Sequence, residues 1–174
     1  MTSKTAARAA WIAGALTLAV SLSTVDAGAQ ELQLGAEADV LAGVEGGGSG
    51  YAAGVRRART TVRLGVSGWV DESPENVISV AALAEIEPRA SIGADLRYTR
   101  LVGEVFAFHA GAIGIIAPRH MIGATFGVGF RIPIADAFAV SVGPTANLYF
   151  LGSDLPDSNV LWQGMLQGGV RVSF

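Results

Sequence analysis

The end of the chain alternates between two kinds of residue, from Trp162 to the last residue, Phe174. One set is apolar or glycine: Trp162, Gly164, Leu166, Gly168, Val170, Val172 and Phe174. The set between them is largely polar or glycine and includes Gln163, Gln167, Gly169, Arg171 and Ser173. A period of two predicts a β-strand with one apolar and one polar face. The chain therefore ends in an amphipathic strand that closes on an aromatic residue.

The same alternation recurs along the chain, in segments of about ten residues that are separated by turn signals. We predict eight strands: Leu32 to Val44, Arg56 to Val70, Val77 to Glu87, Ala90 to Leu101, Val105 to Ile116, Met121 to Ile132, Phe138 to Phe150 and Val160 to Phe174. Only the fifth is ambiguous, because it is apolar on both faces apart from His109. Pro144 stands inside the seventh and predicts a bulge or irregular pairing there. An even number of such segments is typical of a β-barrel.

In its final strand and terminal Phe174 the chain resembles small bacterial outer-membrane β-barrel proteins of the OmpX or OmpA-transmembrane-domain type. The resemblance implies an all-β fold, an eight-stranded antiparallel up-and-down transmembrane β-barrel. It also implies a monomer in outer-membrane lipid of a Gram-negative bacterium, with Phe174 read by the barrel-assembly machinery. With the amino terminus in the periplasm, the connections after the first, third, fifth and seventh strands would face outside.

The beginning of the chain predicts a secretory signal peptide over residues 1–29, which leaves a barrel domain over residues 30–174. Lys4 and Arg8 precede a largely apolar run from Ala9 to Leu22, and the small residues Ala27 to Ala29 suit cleavage before Gln30. An uncleaved anchor is the alternative, but the apolar run is short for a membrane-spanning helix.

Composition narrows the classes of function. The chain has no cysteine, which excludes disulfides, thiolate metal sites and thiol catalysis. Its formal net charge is −3 and no strongly basic patch is present, so we expect no nucleic-acid partner. After residue 29 no apolar run is long enough for a spanning helix, so a secreted chain this apolar satisfies its backbone in lipid only as a closed barrel.

If the polar faces point inward, the lumen holds an ion-pair network of both signs. Its predicted members are Glu37, Asp39, Arg59, Arg63, Glu85, Asp95, Arg97, Arg131 and Arg171. Folding at the second turn would place Arg63 opposite Glu85, or Arg59 opposite Glu87. Buried charges need partners, and an eight-stranded barrel is only wide enough for its own side chains. We therefore predict a plugged interior with a structural role in the membrane rather than a gate or a narrow ion pore.

Two aromatic pairs have the same separation of twelve residues on neighbouring strands: Phe138 with Phe150, and Trp162 with Phe174. Twelve residues span about 40 Å along a strand, or about 30 Å along the axis of a barrel whose strands tilt by about 40°. These four residues are therefore predicted to form an aromatic girdle at each edge of an apolar band.

Three alternatives remain open. A soluble periplasmic barrel of the lipocalin type would bind an apolar ligand in an inverted, apolar lumen. A lipid-modifying outer-membrane enzyme would use His109, but Gly111 stands where similar deacylases carry their serine. A conducting pore would show single-channel steps that change on Arg63→Ala. The sequence holds no metal cluster, nucleophile-base motif or cofactor-binding motif, so we expect no catalytic, metal or cofactor site.

Overall fold

A computed structural model describes residues 34–48, 55–69, 75–87, 90–103, 105–153, 155 and 160–174. The predicted signal peptide and its cleavage point lie outside the described residues. No helix within the described ranges is long and apolar enough to cross a membrane.

Eight antiparallel strands form one closed barrel, in which each strand pairs with the next along the chain and the last pairs with the first. The strands are β1 (Leu34–Gly48), β2 (Val55–Trp69), β3 (Asn76–Glu87), β4 (Ser91–Val102), β5 (Phe106–Ala117), β6 (Met121–Ala135), β7 (Phe138–Gly152) and β8 (Val160–Ser173). The predicted all-β, eight-stranded up-and-down architecture is confirmed. We call the end of the barrel that holds Leu34 and Ser173 the terminal end, and the opposite end the loop end.

Strand β1 continues four residues beyond the predicted end at Val44, into the glycine-rich segment. Its extension is paired on β8, where Gly46 lies opposite Trp162 and Gly47 opposite Leu161. The reason is Glu45, which is 4% exposed and whose side chain lies inside the lumen against Arg59 of β2. The ion pair between Glu45 and Arg59 stabilises this end of β1, where the glycines by themselves favour a turn.

The pairing gives the barrel a stagger of ten residues, because a path across all eight strands that starts at Glu37 returns to β1 at Gly47. The residues paired along this path are Glu37, Gly65, Ala81, Asp95, Ile113, Gly123, Tyr149, Leu161 and Gly47. Such a stagger requires the strands to tilt against the barrel axis. Side chains at different positions along their strands therefore meet at one level of the lumen.

Side chains at odd positions face the lumen and those at even positions face outward. On β4, buried and exposed residues alternate: Asp95 is 3% exposed and its neighbour Leu96 is 51% exposed. The ambiguous fifth strand follows the same rule, with Ile113 and Ile115 buried at 4% each and Phe108 exposed at 49%. The polar faces of the predicted strands thus line the lumen.

Pro144 interrupts the hydrogen-bond ladder between β6 and β7 without changing its register. Between β6 and β7, Gly127 pairs with Thr145 and Phe130 pairs with Val142, whereas the two positions between them are not paired. The register is the same on both sides of this gap, and the pairing with β8 is continuous. Proline has no backbone N–H, which explains why this part of the β6–β7 ladder is not paired. The predicted irregular pairing is therefore present, but there is no bulge at Pro144.

Candidate functional site in the lumen

Arg63 is the centre of a buried ion cluster in the middle of the lumen. Its side chain is 1% exposed. Nε lies 3.1 and 3.0 Å from the two carboxylate oxygens of Asp95, and Nη1 lies 2.7 Å from Oε2 of Glu37 and 2.8 Å from Oδ2 of Asp39. Nη2 donates to Oγ of Ser79 at 2.8 Å. All three guanidinium nitrogens are used, so one arginine holds three carboxylates.

Small residues make this cluster possible. Arg63 reaches Asp95 across β3, where Ala81 lies directly opposite Asp95. On β8, Gly169 lies opposite Asp39, and a Cβ at Gly169 would collide with that carboxylate. A methyl group or less at these positions leaves room for the guanidinium and its partners.

A second ion cluster lies nearer the loop end, around Arg59. Its Nε donates to Oε2 of Glu45 at 2.6 Å, and Nη1 donates to Oε2 of Glu85 at 3.2 Å. Gln163 donates to Oε1 of Glu85 at 3.1 Å, and the hydroxyl of Ser91 donates to Oε2 of Glu85. Two carboxylates thus share one arginine and two neutral donors.

The predicted register between β2 and β3 is wrong in both of its forms. Arg63 lies opposite Leu83, and the residue opposite Glu85 is Thr61. Glu87 lies opposite Thr60 rather than Arg59, because the register shifts between Thr60 and Thr61. Arg59 reaches Glu85 on a diagonal, which two long side chains can span.

The other predicted lumen residues lie toward the terminal end. Arg97 is buried against Asp95, with Nε 2.7 Å from Oδ2, and donates through Nη1 to Oε1 of Gln167 at 2.9 Å. Arg171 has Nη1 3.7 Å from Oε1 of Glu37 and stacks its guanidinium 4.5 Å from the ring centroid of Trp69.

Arg131 is placed differently from the other eight predicted members of the network. It is partly exposed on β6, opposite Ser141, and within the described residues no carboxylate forms an ion pair with it. Arg97, Arg131 and Arg171 line a single cavity of about 90 Å³. The network is thus closely paired in the middle of the lumen and less completely paired at the terminal end.

The lumen next to the loop end is filled by apolar side chains. This buried cluster consists of Leu83, Ile113, Ile115, Met121 and Tyr149, with Leu155 and Leu161 packed against it. The network predicted from sequence omitted these residues, together with Glu45, Gln163 and Ser91, because it was drawn only from charged residues on the predicted strands. Strand parity could have found Glu45, which continues the odd positions of Glu37 and Asp39.

The four predicted girdle residues all point outward. Phe138 and Phe174 lie at the terminal end and Phe150 and Trp162 toward the loop end; Phe150 is 48% and Phe174 is 55% exposed. A further aromatic pair at the terminal end escaped prediction. The rings of Phe106 and Phe130 are 5.2 Å apart between centroids, on the outer face of neighbouring strands.

His109 faces the lumen, between Thr99 on β4 and Gly127 on β6. A Cβ at Gly127 would lie 2.5 Å from Cε1 of the imidazole, so glycine leaves the space that the ring occupies. Within the described ranges no three histidine or acidic side chains are placed to hold a metal ion. The carboxylates around Arg63 are held by its guanidinium instead.

Fold and lumen together define a class: a closed eight-stranded antiparallel β-barrel with an apolar outer face and a polar, ion-paired interior. Among solved structures, the chain is similar to the crystal structure of Neisserial surface protein A (NspA). The TM-score is 0.51 and the identity 16%, over 81% of this chain and 97% of that one. Structural similarity at this low sequence identity supports the assignment of the fold alone. No protein-family model and no curated protein sequence matches the chain.

Proposed function

We propose that the chain is an integral outer-membrane β-barrel protein of a Gram-negative bacterium, with a structural role in the membrane and a plugged lumen. The observation that carries the proposal is the sorting of side chains in a closed barrel. Most charged residues of the described strands point inward, with Arg100 as an exception, and every strand carries large apolar residues on its outer face.

The outer face is unsuited to water. Thirty large apolar side chains of the described residues are exposed, and they include Val80 at 52%, Leu96 at 51% and Phe126 at 50%. Soluble monomers rarely expose contiguous apolar patches above a few hundred Å². A belt of this kind around a closed barrel suits contact with hydrocarbon, where the ladder satisfies every strand and leaves no edge.

The height of the belt also fits a bilayer. Phe138 and Phe150 are separated by about 30 Å along the axis at a strand tilt near 40°. An outer-membrane barrel has an apolar band about 25 Å tall between its aromatic girdles. In this proposal the terminal end faces the periplasm, and Phe174 is the residue that the barrel-assembly machinery reads.

The lumen supports a plug rather than a pore. Arg63 is 1% exposed and its three nitrogens are all bonded, so the middle of the barrel is closed by fixed ions. The cluster around Leu83 and Tyr149 fills the lumen nearer the loop end. We propose no catalytic role, since the carboxylates of both ion clusters are held by Arg63 and Arg59.

The first test is expression of the whole chain with its signal peptide, followed by membrane fractionation and gel electrophoresis of boiled and unboiled samples. We expect the protein in the outer-membrane fraction, with a mobility shift on boiling that marks a detergent-resistant barrel. A soluble periplasmic protein without the shift would contradict the membrane proposal and favour the ligand-binding barrel.

The second test concerns conductance. We expect purified protein in planar bilayers to give no discrete current steps. Steps that Arg63→Ala abolishes or enlarges, but that Arg100→Ala on the outer face leaves unchanged, would overturn the plugged lumen and establish a pore.

A further inference from the structure

The cavity at the terminal end has a wall rich in arginine. Four arginines line it, Arg63, Arg97, Arg131 and Arg171, against the carboxylates of Glu37 and Asp39. Asp95 lies behind this wall and is shared by Arg63 and Arg97. Among the described residues, and with Asp95 included, four arginines face three carboxylates.

Several donors in this wall have no acceptor. Arg97 is 3% exposed, yet its Nη2 is buried without a hydrogen-bond partner, and its Nε lies beside Asp95 without hydrogen-bond geometry. Nε and Nη2 of Arg171 are likewise buried and unpartnered. Nε2 of His109, on the same wall, also has no partner, and it can donate or accept according to its tautomer. Buried polar groups in native proteins are usually satisfied, so these atoms call for an acceptor.

Guanidinium groups define the chemistry of that acceptor. Arginine only donates hydrogen bonds, in a planar fork that matches the oxygens of phosphate or carboxylate. A cavity of 90 Å³ is well above the roughly 10–15 Å³ that a single water requires, so it has room for several waters or for one small polyatomic ion. Waters would satisfy the donors, whereas a small oxyanion would in addition pair with the positive charge of the arginines.

Within the described residues, the cavity becomes more exposed toward the terminal end. Exposure falls from partly exposed Arg131 to Arg171, at 12% for its side chain, and to Arg97 at 3%. Deeper in the lumen the cavity ends at the bonded cluster of Arg63. Ser141, directly opposite Arg131, adds a hydroxyl to the wall near the entrance.

From these observations we infer that the terminal-end half of the lumen is a binding site for a small tetrahedral oxyanion, a phosphate or sulfate group, held by Arg97, Arg131 and Arg171. The group is either a free ion or the head of a larger molecule that enters from the terminal end. The site depends on the barrel and its lumen, not on the barrel's location in a membrane.

The test is calorimetric titration of the folded full-length mature protein in a non-ionic detergent that contains no phosphate. Inorganic phosphate, sulfate and glycerol 3-phosphate are titrated separately at constant ionic strength. We expect saturable binding of one ion per barrel, with a change in the fluorescence of Trp69 because it stacks on Arg171. Tighter binding of glycerol 3-phosphate than of both inorganic ions would assign the site to a phosphorylated molecule, and the reverse to a free ion.

Three variants decide whether the cavity is the site. Arg131→Gln and Arg97→Gln should each weaken binding by about tenfold or more, the effect of losing a charge-assisted hydrogen bond. Arg131 forms no ion pair with any described residue, so we expect Arg131→Gln to retain the fold even if Arg97→Gln does not. Arg100→Gln removes the same charge from an exposed side chain and should bind normally. Absence of saturable binding, or equal affinity in Arg131→Gln and Arg100→Gln, would overturn the inference.

Discussion

The guanidinium of Arg63 on β2 holds both carboxylate oxygens of Asp95 on β4, at 3.1 and 3.0 Å from Nε, across the intervening strand β3. Neither side chain is more than 1% exposed. The pair therefore ties together strands that share no ladder, and it does so at the most buried level of the lumen.

Removal of Arg63 should be the most destabilising single change in the lumen. Arg63→Ala would leave Glu37, Asp39 and Asp95 together without their shared cation, and breaking a buried ion pair on one side costs about 3–5 kcal/mol. We expect a fall of that order in the free energy of unfolding, measured by urea titration with the gel shift as readout.

The matched control is Arg100→Ala, whose side chain is 58% exposed and 4.0 Å from a carboxylate of Glu75. An exposed pair of this kind contributes about 1 kcal/mol or less. Equal effects of the two variants would mean that the ions around Arg63 do not hold the barrel together.

The extension of β1 gives a second prediction. Glu45 and Arg59 should be energetically coupled, because Arg59 donates to Glu45 at 2.6 Å in a buried setting. A double-mutant cycle with Glu45→Gln and Arg59→Gln should give a coupling free energy of about 0.5–3 kcal/mol in unfolding. Additive effects of the two changes would contradict direct contact and place Glu45 in the turn that the sequence suggests.

Two adjacent glycines on β8 offer a third prediction with its own control. In Gly169→Ala the new Cβ would lie 2.7 Å from Cγ of Asp39, whereas at Gly168, on the outer face, a Cβ would meet nothing within 4 Å. Overpacking should cost Gly169→Ala about 1–3 kcal/mol in unfolding free energy. Gly168→Ala should be close to neutral, and a larger loss from that change would reverse the assigned faces.

The faces could be predicted from sequence because a period of two is a local property. Each residue of β4 is assigned by counting, and Asp95 and Leu96 fall as expected on opposite faces. On β5 the alternation does not distinguish the two faces, since Ala, Gly and Ile occupy both of them and His109 is the one polar residue of the strand. Closure of the barrel, which aligns β5 with β4 and β6, settles that strand.

Ion-pair partners could not be predicted in the same way, because they depend on register and stagger. The contact between Arg63 and Asp95 crosses a strand, so no turn between neighbours specifies it. The shift between Thr60 and Thr61 places Glu87 opposite Thr60, one residue away from its expected partner Arg59. The cavity beside Arg97 is even harder to predict from sequence, since the residues of its wall come from strands that are distant in sequence.

The depth of an outward residue gives the sharpest test of the membrane proposal. Leu96 lies midway along β4 and is 51% exposed, whereas Ile134 lies at the end of β6 and is 62% exposed. In a bilayer, arginine on the lipid face costs about 2–4 kcal/mol at the midplane and about 0–1 kcal/mol near the interface. We therefore expect Leu96→Arg to lower the free energy of unfolding in lipid vesicles much more than Ile134→Arg. If water surrounded the barrel, both changes would replace an exposed apolar side chain by a solvated charge, and neither would matter. Equal and small effects would accordingly refute contact with hydrocarbon, whereas a gradient with depth requires it.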